Sequence, residues 1–233
     1  MTKATSFTYR YARPALTVDA VVFGYQEPAL QLLLIQRGQA PFAGRWALPG
    51  GFVEVGESPD QAVRRELAEE AGLRDLFLEQ LYTFGDPKRD PREHVVTVAY
   101  FALVRPELFP ARADSDAADA RWFPVEALPP LAFDHAEIVS AALARLRGKV
   151  RYQPIGFELL PQQFTLTMLQ RLYEAVLNEP LDKRNFRKKM LGFGLLRGLP
   201  ERVRVGRQRP AQLFAFDEER YERLRRKGFL FEL

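Results

Sequence analysis

The sequence predicts an α/β chain in two parts: a layered sandwich around a mixed sheet, then a smaller basic unit of helices and a hairpin. Three observations carry this. Apolar, β-branched and aromatic runs alternate with capped helical segments over the first 150 residues. Gly148, Pro154, Gly156 and Pro161 punctuate the stretch from Arg147 to Pro161, which places a boundary there and divides the chain into 1–150 and 151–233. Charge divides it too: residues 1–160 hold 18 Lys and Arg against 21 Asp and Glu, whereas residues 161–233 hold 16 against 9. An acidic part suits a cation, and a basic part suits a polyanion such as nucleic acid.

Leu16–Phe23, Leu30–Ile35, Leu76–Phe84 and Val95–Val104 read as strands, with a short one around Arg121–Phe123. Ser58-Pro59-Asp60-Gln61 is a capping box with proline at the first helical position, and Gly72 is the stop. Asp134 with Glu137 opens a second helix carrying Val139, Leu143 and Leu146 on one stripe. Past the boundary, Leu166, Leu169, Leu172, Tyr173, Val176 and Leu177 recur at helical spacing behind Thr165, a candidate N-cap. Asp182 caps the next helix, which ends at Gly192; Phe186, Met190 and Leu191 turn inward and Arg184, Arg187 and Lys188 outward. Glu201–Val205 and Gln212–Phe216 alternate as two strands joined by Gly206 to Pro210. Helix, turn, basic helix and basic hairpin is the order of a winged helix-turn-helix.

At 47% apolar residues, 233 residues are ample for packed cores. Asp19 interrupts the run from Val18 to Phe23, and Lys3, Arg10 and Arg13 precede it, so neither a signal peptide nor a membrane span is expected and the chain reads as cytoplasmic. With no cysteine and only His94 and His135, a disulfide scaffold, a thiol nucleophile and a Cys-based zinc site are excluded. A metal must be held by oxygen, which points to Mg2+ or Mn2+.

Gly51-Phe52-Val53-Glu54-Val55-Gly56-Glu57, seven further residues, and Arg65-Glu66-Leu67-Ala68-Glu69-Glu70-Ala71-Gly72-Leu73 set many defined residue types at fixed spacing. Glu66, Glu69 and Glu70 stand at i, i+3 and i+4 of the Ser58-capped helix, so three carboxylates share a face at mutual cost unless a hard cation joins them. This segment matches the Nudix box, and the resemblance implies a Nudix α/β/α sandwich. In enzymes with the box, the equivalent glutamates ligate one to three magnesium ions and an activated water attacks phosphorus. Carried over, Glu66, Glu69 and Glu70 are ligands with the Gly50 carbonyl, Glu70 or Glu66 assists the water, and Glu57 and Arg65 pair to orient loop on helix. Gly51 brings backbone close to phosphate. Arg37 and Arg45 are candidate phosphate partners and Phe84 a candidate base platform. Asp86, Glu93, Asp116 and Asp119 are candidate further ligands or bases.

Tyr82 to Pro87 with Arg89-Asp90-Pro91-Arg92, ahead of Val95, Thr97, Tyr100 and Phe101, resembles a segment of Nudix proteins that bind ADP-ribose. With the basic C-terminal unit, nearly the whole chain looks like the Nudix-related transcriptional regulators of NrtR type. That resemblance implies a DNA-bound homodimer on a palindromic operator near NAD-metabolism genes, released by ADP-ribose or a related nucleotide. Between Lys183 and Arg209 lie ten basic residues and one acid, Glu201, and Lys183, Arg184, Arg187, Lys188, Arg207 and Arg209 are the candidate DNA contacts. Many such regulators have an eroded box and this one is intact. A Mg2+-dependent ADP-ribose pyrophosphatase with an accessory C-terminal module is therefore the competing reading.

Overall fold

The computed structural model describes residues 10–109, 117–204 and 210–233. Its main sheet has seven strands: β1 (Ala15–Gln26), β2 (Ala29–Arg37), β3 (Trp46–Ala47), β4 (Gly50–Phe52), β5 (Glu79–Phe84), β6 (Val95–Val104) and β7 (Ala117–Pro124). The order is β3-β2-β1-β6-β5, with β4 also paired to β1 and β7 to β2. β1 and β6 run parallel over ten paired positions while the other pairs are antiparallel, so the sheet is mixed.

Side-chain alternation along β1 assigns its two faces. Val18, Ala20 and Val22 pack with Ala62, Val63, Leu67 and Ala71 of α1 (Pro59–Ala71). Val21 and Phe23 pack with Ile138, Val139, Ala142 and Leu146 of α2 (His135–Tyr152). The result is the three-layer sandwich. The Ser58–Gln61 capping box forms in both directions, and Gly72 closes α1 at φ 68°.

Beyond α2 come α3 (Leu166–Leu177), α4 (Lys183–Gly192), β8 (Leu196–Val203), β9 (Ala211–Phe216) and α5 (Glu218–Arg225). Thr165 and Asp182 cap α3 and α4 by accepting from Met168 N–H and Asn185 N–H. Phe164 bonds both ways with Phe214, adding a third edge to the β8–β9 hairpin. Leu169, Leu172, Tyr173, Val176, Phe186 and Met190 join the same apolar core as Val21, Phe23 and α2, so the winged helix is welded to one face of the sandwich.

Several expectations are corrected. α2 continues through Gly148 to Tyr152, because buried Val150 extends its apolar stripe and outweighs the glycine's cost of about 1 kcal/mol. β5 starts at Glu79 rather than Leu76, whose carbonyl instead accepts from Arg64 Nη1 at 2.7 Å. β8 starts at Leu196, with Pro200 accommodated where the register shifts between Gly198 and Arg202. Leu191 is 48% exposed, not inward. Arg187 is half-buried, not turned to solvent, and donates to Thr167 Oγ1 at 2.9 Å. Gly192 is the last residue of α4, and the left-handed turn that follows is made by Gly194 at φ 66°. β3, β4 and α5 were not anticipated.

Candidate functional site

β1, β4, the first turn of α2 and the carboxylate face of α1 enclose a cavity of about 360 Å³. Its lining joins acidic residues Glu54, Glu66 and Glu70 with basic Arg37, Arg89 and Arg92, and adds Gly50, Gly51, Phe52 and Phe133. β4 presses the box's loop onto α1 so closely that a Cβ on Gly51 would stand 2.2 Å from Glu66 Oε1. The Gly50 N–H donates to Glu70 Oε2 at 2.8 Å. Arg65 grips Glu57 side-on through the Nε–Nη2 edge of its guanidinium (Nε to Oε1 2.9 Å, Nη2 to Oε2 3.0 Å). It also donates to Glu66 Oε1 at 2.8 Å, Glu69 Oε2 at 3.2 Å and the Phe52 carbonyl at 3.0 Å. Arg65 therefore spends its charge on the box itself, and these bonds hold the Glu57 carboxyl below its usual range.

Burial acts oppositely on the other two glutamates. It raises Glu66, against the pull of Arg65, and pushes Glu70 up to about 8, helped by the charges of Glu66 and Asp19 and opposed by Gly50 N–H and Arg37. Among the described residues no three carboxylate or imidazole groups stand together in ligand geometry. Glu66 and Glu69 are drawn to Arg65 and Glu70 to a backbone amide. The donor set is nevertheless all oxygen, and two of its members carry a desolvation cost that a divalent cation would offset.

Behind the glutamates lies a buried network that the sequence reading did not single out. Arg89, its side chain 4% exposed, forks onto Asp134 (2.8 and 2.7 Å) and reaches Asp19 at 3.4 Å. Burial opposes the Arg89 charge, but Asp134 and Asp19 outweigh it and raise its pKa. The Leu48 N–H donates to His135 Nδ1 at 2.9 Å, which leaves Nε2 as the nitrogen facing Asp19 Oδ1 at 3.3 Å. Because Nδ1 accepts, the ring proton belongs on Nε2, and burial, which lowers the His135 pKa, favours the same neutral form. Asp134, expected as a helix cap, makes no cap bond because Arg89 occupies both its oxygens. Asp19, a lone acid inside an apolar run, was the available signal.

The other expected residues are dispersed. Arg37 lines the cavity, its Nε donating to the Pro41 carbonyl at 2.9 Å. Arg45 instead lies over Phe42, and Phe84 is half-buried against the core and Tyr82; neither lines the cavity. Asp86 accepts from Lys88 N–H in a local turn, Glu93 is exposed, and Asp119 pairs with Arg121. On α4, Lys183, Arg184 and Lys188 project outward. Asp116, Gly206, Arg207 and Arg209 lie outside the described residues.

Comparison with known proteins agrees with both halves. Residues 13–142 match the NUDIX domain and residues 156–216 match the NrtR DNA-binding winged helix domain. The chain is 38% identical over 216 residues to the "ADPR responsive transcriptional repressor NtrR" of Acinetobacter baylyi, covering 91% of this chain and 86% of that one. It is 42% identical over 130 residues to an ADP-ribose pyrophosphatase of Methanocaldococcus jannaschii, covering 55% of this chain and 73% of that one. The crystal structure of Shewanella oneidensis NrtR complexed with a 27mer DNA superposes with a TM-score of 0.75 at 38% identity, covering 86% of this chain and 93% of that one. An intact Nudix box on a sandwich, welded to a winged helix and alike across nearly its whole length to such regulators, makes this chain a member of the NrtR family, a NUDIX domain joined to an NrtR winged helix DNA-binding domain.

Proposed function

We propose that the chain is an ADP-ribose-responsive transcriptional repressor: residues 1–150 bind ADP-ribose in the cavity, and residues 151–233 bind operator DNA as part of a homodimer on a palindromic site near NAD-metabolism genes. One structural observation carries the reading. The head of α2 belongs to the cavity through Phe133, just before the helix, and His135, its first residue, while its last turns hold the winged helix. There Arg147 Nε donates to the Val176 carbonyl at 3.0 Å, Arg151 pairs with Glu179 at 2.8 Å, and the Arg151 carbonyl accepts from the Leu233 N–H. A helix of 18 residues, about 27 Å long, thus joins nucleotide pocket to DNA reader. The test is fluorescence anisotropy with duplex from upstream of the protein's own gene, with and without saturating ADP-ribose. Weaker DNA binding in the presence of ADP-ribose is expected, and equal affinity with ADP-ribose binding confirmed by calorimetry refutes the switch.

The complete box favours a second activity, hydrolysis of ADP-ribose to AMP and ribose 5-phosphate. Glu66, Glu69 and Glu70 with the Gly50 carbonyl are the residues that would hold Mg2+ or Mn2+. Such a cation lowers the pKa of water and neutralises charge developing on phosphate. Arg65 keeps Glu57, Glu66 and the Phe52 carbonyl in fixed relation.

A further inference from the structure

We propose that Phe231 is a positioning residue for DNA reading: residues 229–233 strap the far end of α4 to the last turn of α2, and so fix the angle at which α4 meets base edges. This rests on the DNA reading above, in which α4 is the helix that a winged helix lays in the major groove. The strap follows the hairpin that completes that unit. Asp217 caps α5 by accepting from the Arg220 N–H at 2.9 Å, and its own N–H donates to the Leu195 carbonyl just past α4, also at 2.9 Å. After α5 the Phe229 N–H donates to the Leu224 carbonyl at 3.1 Å, and Gly228, at φ 79°, reverses the chain. The residues that follow alternate as an extended segment does. Phe229, Phe231 and Leu233 turn inward, while Leu230 and Glu232 are exposed.

Two contacts make this segment a bridge. Phe231, 4% exposed, lies tilted against Phe193, the residue that closes α4, with ring centres 4.5 Å apart, and Phe229 meets the same ring edge-on at 6.0 Å. Two residues on, the Leu233 N–H donates to the Arg151 carbonyl of α2 at 3.0 Å. Arg151 is thereby the junction for both ends of α4. Its side chain pairs at 2.8 Å with Glu179, in the turn that leads into α4, while its carbonyl holds the strap that reaches the helix's other end. The approach to α4 is held from α3 as well: the Leu181 N–H donates to Glu174 Oε1 and the Leu181 carbonyl accepts from Gln170 Nε2, both at 3.1 Å. Of the ten residues of α4, Phe186 and Met190 are the buried ones. A helix with so little of itself in the core, fixed at its first turn alone, pivots about that turn. Contacts from Arg184 and Lys188 to phosphate tolerate a pivot because phosphate charge is spread along the backbone, whereas hydrogen bonds to base edges do not. The strap therefore serves sequence discrimination more than affinity.

The experiment measures, by fluorescence anisotropy at one salt concentration, the affinity of the full chain for duplex from upstream of the protein's own gene and for a shuffled duplex of the same length and composition. Phe231→Ala empties the site against Phe193. It should weaken binding to the upstream duplex at least about tenfold, the loss expected when a base contact is misaligned, and change binding to the shuffled duplex less than about threefold. Phe231→Leu, which keeps most of the apolar volume, should retain most of the wild-type ratio, and Leu230→Ala, on the exposed side of the strap, should retain all of it. Loss of folded protein lowers both affinities equally, so a change in their ratio is what supports the strap. Should Phe231→Ala lose its thermal transition, Leu233→Pro deletes the N–H that bonds the Arg151 carbonyl and should lower the ratio at least about threefold. An unchanged ratio in the variant that folds overturns the strap. Equal binding of the two duplexes by the wild type, or binding of neither, overturns the DNA reading and the strap with it.

Discussion

Removing the charge of Glu70 should stabilise the metal-free protein, and only at high pH. In the folded chain burial, aided by Glu66 and Asp19, lifts its carboxyl from 4.5 to about 8. The folded state therefore holds a proton that the unfolded state has released throughout that window, so the stabilisation is complete below about pH 4.5 and is lost as pH rises through about 8. The slope is about 1.4 kcal/mol per pH unit, which bounds the total at about 5 kcal/mol; relaxation and water entry around the ionised carboxylate reduce it to about 2–3 kcal/mol. Glu70→Gln mimics the protonated form and can still accept the Gly50 N–H. In EDTA, melting temperatures of wild type and variant should coincide near pH 5 and separate by about 5–10 °C near pH 9, with the variant higher. Adding Mg2+ at the high pH should raise wild type and leave the variant unmoved. Parallel curves across the range would show that Glu70 is not desolvated as the structure has it, and a wild type that gains stability with pH faster than the variant would reverse the argument.

Gly51→Ala tests how tightly the box loop is laid on α1: its Cβ would stand 2.2 Å from Glu66 Oε1, the end of a flexible side chain. The carboxylate should be displaced, with Mg2+-dependent hydrolysis of ADP-ribose falling at least about tenfold and melting temperature shifting little; full activity would mean that Glu66 is not used where it stands. On α4, Arg184→Ala and Lys188→Ala should each weaken binding to all duplexes and reduce the salt slope by about one, as loss of a phosphate contact does. Arg187→Ala should chiefly lower the melting temperature, because its guanidinium is spent on Thr167 between α3 and α4; the reverse pattern in the two assays would exchange these roles.

What the sequence made legible followed from how local each signal is. The Ser58 box, Gly72, Thr165 and Asp182 act within a turn of themselves, and each was readable because a cap needs only its own helix. The fork of Arg65 onto Glu57 belongs to a motif of fixed spacing. The Asp19–Arg89–Asp134–His135 network joins residues up to 116 apart in sequence, and nothing local announces it. Asp134 misled for the same reason: it carries a cap's residue type at a helix start, yet a distant arginine claims it. Phe84 was expected as a base platform because it lies in the ADP-ribose-like segment, but strand alternation turns it to the core, and the phenylalanines that reach the cavity are Phe52, from the box, and Phe133, which follows no motif. Arg187 was placed outward by helical spacing alone, which cannot register that α3 lies alongside.

The fusion of pocket to DNA reader rests on rigidity rather than on proximity. A flexible tether between the two parts would let ligand binding pass without effect, since a ligand shifts an equilibrium only by its differential affinity for two states. Here Phe133 and His135 line the cavity at the head of α2, and Asp134 between them holds the cavity-lining Arg89. At the far end Arg147 and Arg151 grip α3 and the turn after it, while Arg171 of α3 pairs with Glu27 at the end of β1. The apolar core is continuous from Phe23 through Leu146 to Leu172 and Phe186, so α2 cannot tilt without carrying α3 and the exposed Arg184 and Lys188 of α4 with it. The coupling needed is small: 1–3 kcal/mol changes operator affinity by about 5- to 150-fold, and operator must change ligand affinity by that same factor.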